Sequence, residues 1–188
     1  MSDLLVFGKR AGEFAAKFSK ESDAGQINEV QIEEAAREAL EPFERAGKPG
    51  GNAEGPYQVQ HDLQEMMQNL VGIVRREEEM VRALDELKKL WQRAQNVIVY
   101  GHREYNPGWH TAIDLKHLLT VSEAITRTAI ERKESRGGHF RDDFPNKDGA
   151  EGKMNIVLHK EPDGSMHVRR ETISETPEHL KQIIEEMK

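Results

Sequence analysis

Between Glu134 and Pro145 the sequence reads Glu-Ser-Arg-Gly-Gly-His-Phe-Arg-Asp-Asp-Phe-Pro. Arg136, His139 and Arg141 carry the chemistry of an anion site, because guanidinium forks match carboxylates and phosphates. His139 also has the proton affinity of a general base. Glu134, Asp142 and Asp143 stand beside them, however, and pairing within the loop is the stronger reading. Arg136, His139, Arg141, Asp142 and Asp143 then form an interdomain latch or docking element, held by glycines on one side and a proline on the other.

A second constellation is His110, Asp114 and His117, spaced so that all three project from one helical face. That geometry suits a divalent metal. No further ligand supports it, so a capped and solvated first helical turn is preferred. Tyr105, Asn106, Trp109 and His110 cluster at a turn, where such residues fix the start of a helix. The sequence contains no GxGxxG, P-loop, GxSxG or HExxH pattern. It has no cysteine, which excludes disulfides, thiolate metal sites and iron–sulfur ligation by this chain. No catalytic, cofactor-binding or metal-ligating residue is assigned.

The elements that position these residues read as mainly helical. Leu4, Leu5, Val6 and Phe7 precede Ala11, Phe14, Ala15 and Phe18 at helical spacing. Such apolar density needs a partner surface. Gly8 and Gly12, four apart, would let another backbone approach. A polar linker leads to an amphipathic helix over 28–46. The stretch Gly47–Pro56 is rich in glycine and proline and marks the clearest boundary. Three helices follow. The first carries Leu63, Met66, Met67, Leu70, Val71 and Val74 at helical period, with Gly72 as a close-packing point or a weak spot. The second runs over 77–95 with Met80, Leu84, Leu87, Trp91 and Ala94 on one face, acidic at its start and basic at its end. The third spans 111–133, with Thr111 as N-cap and Asp114 as its partner. It turns Ile113, Leu115, Leu118, Leu119, Ser122, Ile125, Ala129 and Ile130 to the core. Short connections make these an antiparallel three-helix bundle. The tail changes period: Met154–His159 and Met166–Arg170 flank Glu161-Pro162-Asp163-Gly164, a β-hairpin. Two strands alone are marginal, so they must lean on the bundle or on a partner. Pro177 starts a short last helix. The divisions are 1–56, an N-terminal helical extension; 57–145, the bundle and its loop; and 146–188, the hairpin and helix.

Composition agrees with helices rather than a large buried sheet: of 188 residues, 36% are hydrophobic and 32% charged. A net charge of −7 argues against nucleic acid as a partner. No apolar run approaches the ~20 residues that span a bilayer, so no membrane insertion and a cytoplasmic location are expected.

Several blocks carry a family resemblance. The Glu134–Pro145 loop is similar to the C-terminal signature of succinate dehydrogenase and fumarate reductase flavoprotein subunits, much of which the L-aspartate oxidases share. Ser2–Gly8 resembles a segment that follows a flavin-contacting stretch in that family. Leu63–Arg75, Tyr105–Leu115 and Ala129–Gly137 also match, and Asn106-Pro107-Gly108-Trp109-His110 resembles the dehydrogenase and reductase more than the oxidase. The resemblance implies a spectrin-repeat-like bundle, with Met1 standing where a flavin domain would join. It implies a parent enzyme with covalent FAD that interconverts succinate and fumarate and passes electrons through an iron–sulfur subunit to quinone, peripheral to the inner membrane. The family's catalytic residues lie upstream of Ser2, so none is carried onto this sequence. This portion is then structural, without cofactor or turnover, braced against its own flavin domain and the iron–sulfur subunit. The Leu4–Phe18 face, left alone, is a candidate for self-association. The alternative is a free-standing helical adaptor that binds a protein through Leu4–Phe18 and Arg136–Phe144. An upstream reading frame with a GxGxxG segment separates the two.

Overall fold

Leu63, Leu87, Leu90, Leu115 and Leu119 lie on three helices and meet in one core, which sets the architecture. The computed structural model describes residues 2–46 and 54–187. In order they form α1 (Ser2–Glu21), α2 (Glu29–Ala46), α3 (Pro56–Leu70), β1 (Val74–Arg75), α4 (Glu77–Ala94), α5 (Pro107–Glu131), β2 (Phe140–Arg141), β3 (Met154–Lys160), β4 (Met166–Thr172) and α6 (Glu178–Glu186). The fold is mainly α, as the periodicity predicts.

The directions of α3, α4 and α5 follow from which residues meet. Val59 near the start of α3 shares a cluster with Leu90 near the end of α4 and Leu115 near the start of α5. At the other end Val71, Met80 and Ala129 share a second cluster with Ala83. Successive helices therefore run antiparallel. Met80, Leu87, Leu115 and Leu119 are each almost wholly buried, and each such side chain contributes about 1.5–3 kcal/mol of burial free energy. Thr126, also buried, donates its hydroxyl to Ser122 O at 2.8 Å, so the polar atom needs no outside partner.

The structure departs from the sequence reading in three places. Val74 does not continue α3. The helix stops at Leu70, and Arg75 Nε donates to Gly72 O at 2.8 Å and Val71 O at 3.2 Å, which holds the turn. Gly72 proves to be a close approach: a Cβ there would stand 2.5 Å from Gln68 O. Val74–Arg75 is then free to pair, in parallel, with Phe140–Arg141. Second, Thr111 is not the N-cap of α5. Asn106 is, its Oδ1 accepting from Trp109 N at 3.1 Å, with Pro107 at the first helical position, where its missing N–H costs nothing. Thr111 instead donates to Pro107 O at 2.9 Å. Third, Ile113, Leu118 and Ile125 are more than a third exposed. α5 is apolar on two faces, and the bundle takes only one.

Contacts divide the chain into units 1–39 and 40–188. In the first unit no described residue of α1 is buried, Leu4, Leu5, Phe7, Phe14 and Phe18 are exposed, and Gly8 and Gly12 face open space. Gly47–Ala53, which hold most of the expected flexible break, lie outside the described residues. In the second unit the β3–β4 hairpin leans on α5. Arg170 reaches Glu131 Oε1 at 2.7 Å and Glu131 O at 2.8 Å, and Arg132 Nη2 donates to Met154 O at 2.9 Å. Among the described residues no helix is long and apolar enough to cross a membrane.

Candidate functional site

The loop that follows α5 folds back onto the turn between α3 and α4. Gly137 takes a φ of 59°, a left-handed conformation that suits glycine, and Arg136 and His139 pair around it through backbone bonds of 2.8 and 3.1 Å. The return stroke is β2, set against β1 in the register Val74↔Phe140 and Arg75↔Arg141. This brings each charged residue of the loop to a fixed partner.

Arg141 is fully buried. Its Nε and Nη2 donate to Asp143 Oδ1 and Oδ2, both at 2.7 Å, a bidentate pair. Nη1 donates to Ala129 O at 2.9 Å and Ile130 O at 3.1 Å, carbonyls at the end of α5 that a helix leaves unpaired. Nη2 also reaches Glu77 Oε2 at 3.2 Å. Arg141 holds Asp143 down to about 2, aided by the Glu77 amide, which donates to Asp143 Oδ2 at 2.9 Å. That amide opens α4, where positive helix-end charge would otherwise attract an outside anion. The protein's own carboxylate already fills that position.

Glu134, buried, forms a second node. Arg136 Nε at 2.9 Å and Arg132 Nη1 at 2.8 Å share its Oε1, while Asp148 N donates to Oε2 at 2.9 Å. Arg136 first, then the Asp148 amide and Arg132, hold its carboxyl down to about 2. Asp142 pairs not with a loop arginine but with Arg76, at 2.9 Å from Nε and 2.5 Å from Nη2. Among the described residues His139 meets no carboxylate. Arg75 Nη1 lies 2.8 Å from its Nδ1, and its Nε2 lies 3.2 Å from Arg132 O. An arginine only donates and a carbonyl only accepts, so the ring is neutral, with its proton on Nε2. Burial lowers its pKa, and the charges of Arg75, Arg141 and Arg132 lower it further.

The five singled-out residues therefore share one corner, but most of their partners come from elsewhere. Arg75, Arg76, Glu77 and Arg132 were not singled out from the sequence. The signal for the first three was a charged run, Arg75-Arg76-Glu77, placed just after a helix-breaking glycine. The corner can hold two chain segments together. Among the described residues, its arginines and carboxylates are paired with one another or with backbone and ring atoms of the same chain.

His110, Asp114 and His117 are exposed, His110 lying against Trp109 with ring centroids 5.9 Å apart. Among the described residues no group of three or more His, Cys, Asp or Glu is placed to hold a metal ion. A recess of about 860 Å³ between the start of α3 and the end of α4 is lined by Glu54, Gln58, Lys89 and Arg93. Its arginine is already engaged by Glu54 and Asp62, each at 2.5 Å.

A family model described as "Fumarate reductase flavoprotein C-term" matches residues 60–185. The fumarate reductase flavoprotein subunit of Mycobacterium tuberculosis is 31% identical over 172 residues, covering 89% of this chain and 29% of that protein. The Haemophilus influenzae counterpart is 30% identical, covering 79% and 24%. Among solved structures, the Sdh1 complex of Mycobacterium smegmatis in its apo form superposes with a TM-score of 0.81 at 42% identity, covering 91% of this chain and 28% of that one. An E. coli quinol fumarate reductase gives 0.79 at 25% identity, covering 93% and 30%. The chain thus spans less than a third of the relatives it matches. On the extent of these matches, the chain belongs to the fumarate reductase flavoprotein C-terminal family.

Proposed function

We propose that this chain is the helical C-terminal region of an FAD-dependent flavoprotein subunit that interconverts succinate and fumarate, and that its arginine corner latches that region to the remainder of the subunit. The observation that carries the latch is what the corner leaves outside. Arg141 and Glu134 are buried and fully paired, whereas Val74 and Phe140, registered opposite each other on the β1–β2 pair, and Ile73 just before β1 lie exposed. An apolar patch on a rigid, charge-rimmed frame has the composition of an interface.

The elements around the corner do not build a dinucleotide site. A dinucleotide site needs a strand, a glycine-rich turn and a helix N-terminus open to pyrophosphate. Here β1 and β2 are two residues long, and the N-termini of α4 and α5 are filled by Asp143 and Asn106. We therefore assign no step of flavin chemistry to this chain. In the proposed parent, the flavin and the dicarboxylate-binding residues belong to the part of the subunit that this chain does not match. Electrons leave through an iron–sulfur subunit to quinone, on a complex peripheral to the cytoplasmic side of the inner membrane. Residues 57–145 act as the bracing bundle and 146–188 as its buttress. The exposed Leu4–Phe18 face of α1 is a surface for the flavin portion, or for self-association when that portion is missing. A free-standing adaptor or an L-aspartate oxidase is not favoured, since the relatives above are fumarate reductase and succinate dehydrogenase proteins.

Phe140→Asp in the full-length subunit tests the latch. The substitution is expected to leave the thermal transition of this chain alone nearly unchanged, while the full-length enzyme gains protease sensitivity between its two parts and loses succinate-dependent dye reduction. Unchanged proteolysis and unchanged activity would refute the latch.

A further inference from the structure

Outside the corner, two unspent imidazoles meet on the hairpin. The β3–β4 register sets His159 directly opposite His167. At either end of the ladder Glu161 N bonds to Ser165 O at 2.9 Å and Ile173 N to Lys153 O at 2.8 Å. Hydrogen-bonded pairs alternate along an antiparallel ladder, so His159 and His167 are such a pair, with Cα atoms about 5.5 Å apart and side chains on one face. Both are exposed, and neither ring has a hydrogen-bond or ion-pair partner among the described residues.

The pair is also held in place. The adjoining turn is closed by Gly164, at φ 85°, with Gly164 N bonded to Glu161 O at 2.9 Å and Ser165 N to Asp163 Oδ1 at 2.9 Å. The opposite face of the hairpin carries Ile156, Leu158 and Val168, all partly buried, which keeps the two histidines outward. Arg169, the cation on their face, is committed to Glu171. Glu161, two residues along from His159, adds negative charge to that face.

We propose that His159 and His167 form a two-point site for a late first-row divalent cation, Cu²⁺ or Zn²⁺. Neutral imidazole suits these ions. Metal–nitrogen bonds of about 2.0–2.1 Å require the two nitrogens to come about 3 Å apart, which rotamer choice supplies from directly opposed strand positions. Water fills the remaining positions. The bound ion staples β3 to β4, and a ligand that binds only the paired strands stabilises them.

Calorimetric titration of the full 188-residue chain with Zn²⁺, together with Cu²⁺ electron paramagnetic resonance at one equivalent, tests the site. The expected result is one dominant site with two nitrogens coupled to Cu²⁺. Its Zn²⁺ affinity falls more than about tenfold in H159Q and in H167Q, the least that losing even an outer-shell partner costs, while H110Q binds as wild type. Amide exchange of the metal-free variants, matching wild type, shows that the hairpin is intact. Undiminished affinity in H159Q and H167Q, or Cu²⁺ coupled to a single nitrogen, overturns the proposal.

Discussion

Arg141 and Asp143, two residues apart, close a bidentate ion pair with both contacts at 2.7 Å. The same carboxylate accepts the first amide of α4 at 2.9 Å, and the same guanidinium donates to two carbonyls at the end of α5. One pair of side chains thus ties two helix ends together.

Removing one side of that pair strands the other. Arg141→Ala is expected to cost about 3–5 kcal/mol, the usual loss for breaking a buried ion pair. Arg141→Lys keeps the charge but not the planar fork and recovers only part of it. Urea denaturation of the three proteins measures this, and wild-type stability in R141K would contradict the assigned role.

Acid should undo the corner in two windows. Asp143 and Glu134 have folded pKa values lowered to about 2, so their contribution is complete above the unfolded carboxylate range near pH 4 and is lost as pH falls toward 2. His139 is lowered too. The folded state therefore resists its protonation, and stability begins to fall once pH drops below about 6.5, the value of the free imidazole. His139→Gln is expected to flatten the unfolding free energy between pH 7 and 5 while leaving the lower window. A wild-type pH profile in H139Q would rule this out.

Two glycines should respond oppositely to alanine. Gly72→Ala drives a Cβ to 2.5 Å from Gln68 O and is expected to destabilise by about 1–3 kcal/mol, as overpacking does. Gly8→Ala meets nothing within 4 Å and should raise helicity, since glycine costs about 1 kcal/mol in a helix interior. Thermal unfolding and far-ultraviolet circular dichroism distinguish the two.

Asn106 does two jobs. Its oxygen caps α5, and its amide donates to Tyr100 O at 2.9 Å and His102 O at 2.8 Å, steadying a loop in which Tyr105 sits at φ 52°. Asn106→Ala should cost about 1–2 kcal/mol, and Asn106→Asp, which keeps the cap but loses the donors, should fall between. Equal stability of Asn106→Asp and wild type would mean that the loop bonds contribute nothing.

The helices and the hairpin were legible because apolar spacing is local: Leu63, Leu87 and Leu115 announce their faces within a turn or two. Which face of α5 would be buried was not, since Ile113, Leu118 and Ile125 are as apolar as Leu115 and Leu119. The corner was half legible. Arg141 and Asp143 are neighbours in sequence, but Arg75 and Arg76 reach His139 and Asp142 from about 65 positions away (separations of 64 and 66), and nothing local specifies a pairing of that length. Val74 shows the same limit: its helical spacing was genuine, and Gly72 together with the offer of β2 overrode it.

The most direct check of the whole picture is the visible spectrum of this purified chain, before and after denaturation, alongside succinate-dependent dye reduction. A C-terminal portion whose corner arginines, Arg76, Arg132, Arg136 and Arg141, are held by its own carboxylates and carbonyls should be colourless and inert. A flavin band that survives unfolding, or turnover of succinate by this chain alone, would contradict that assignment.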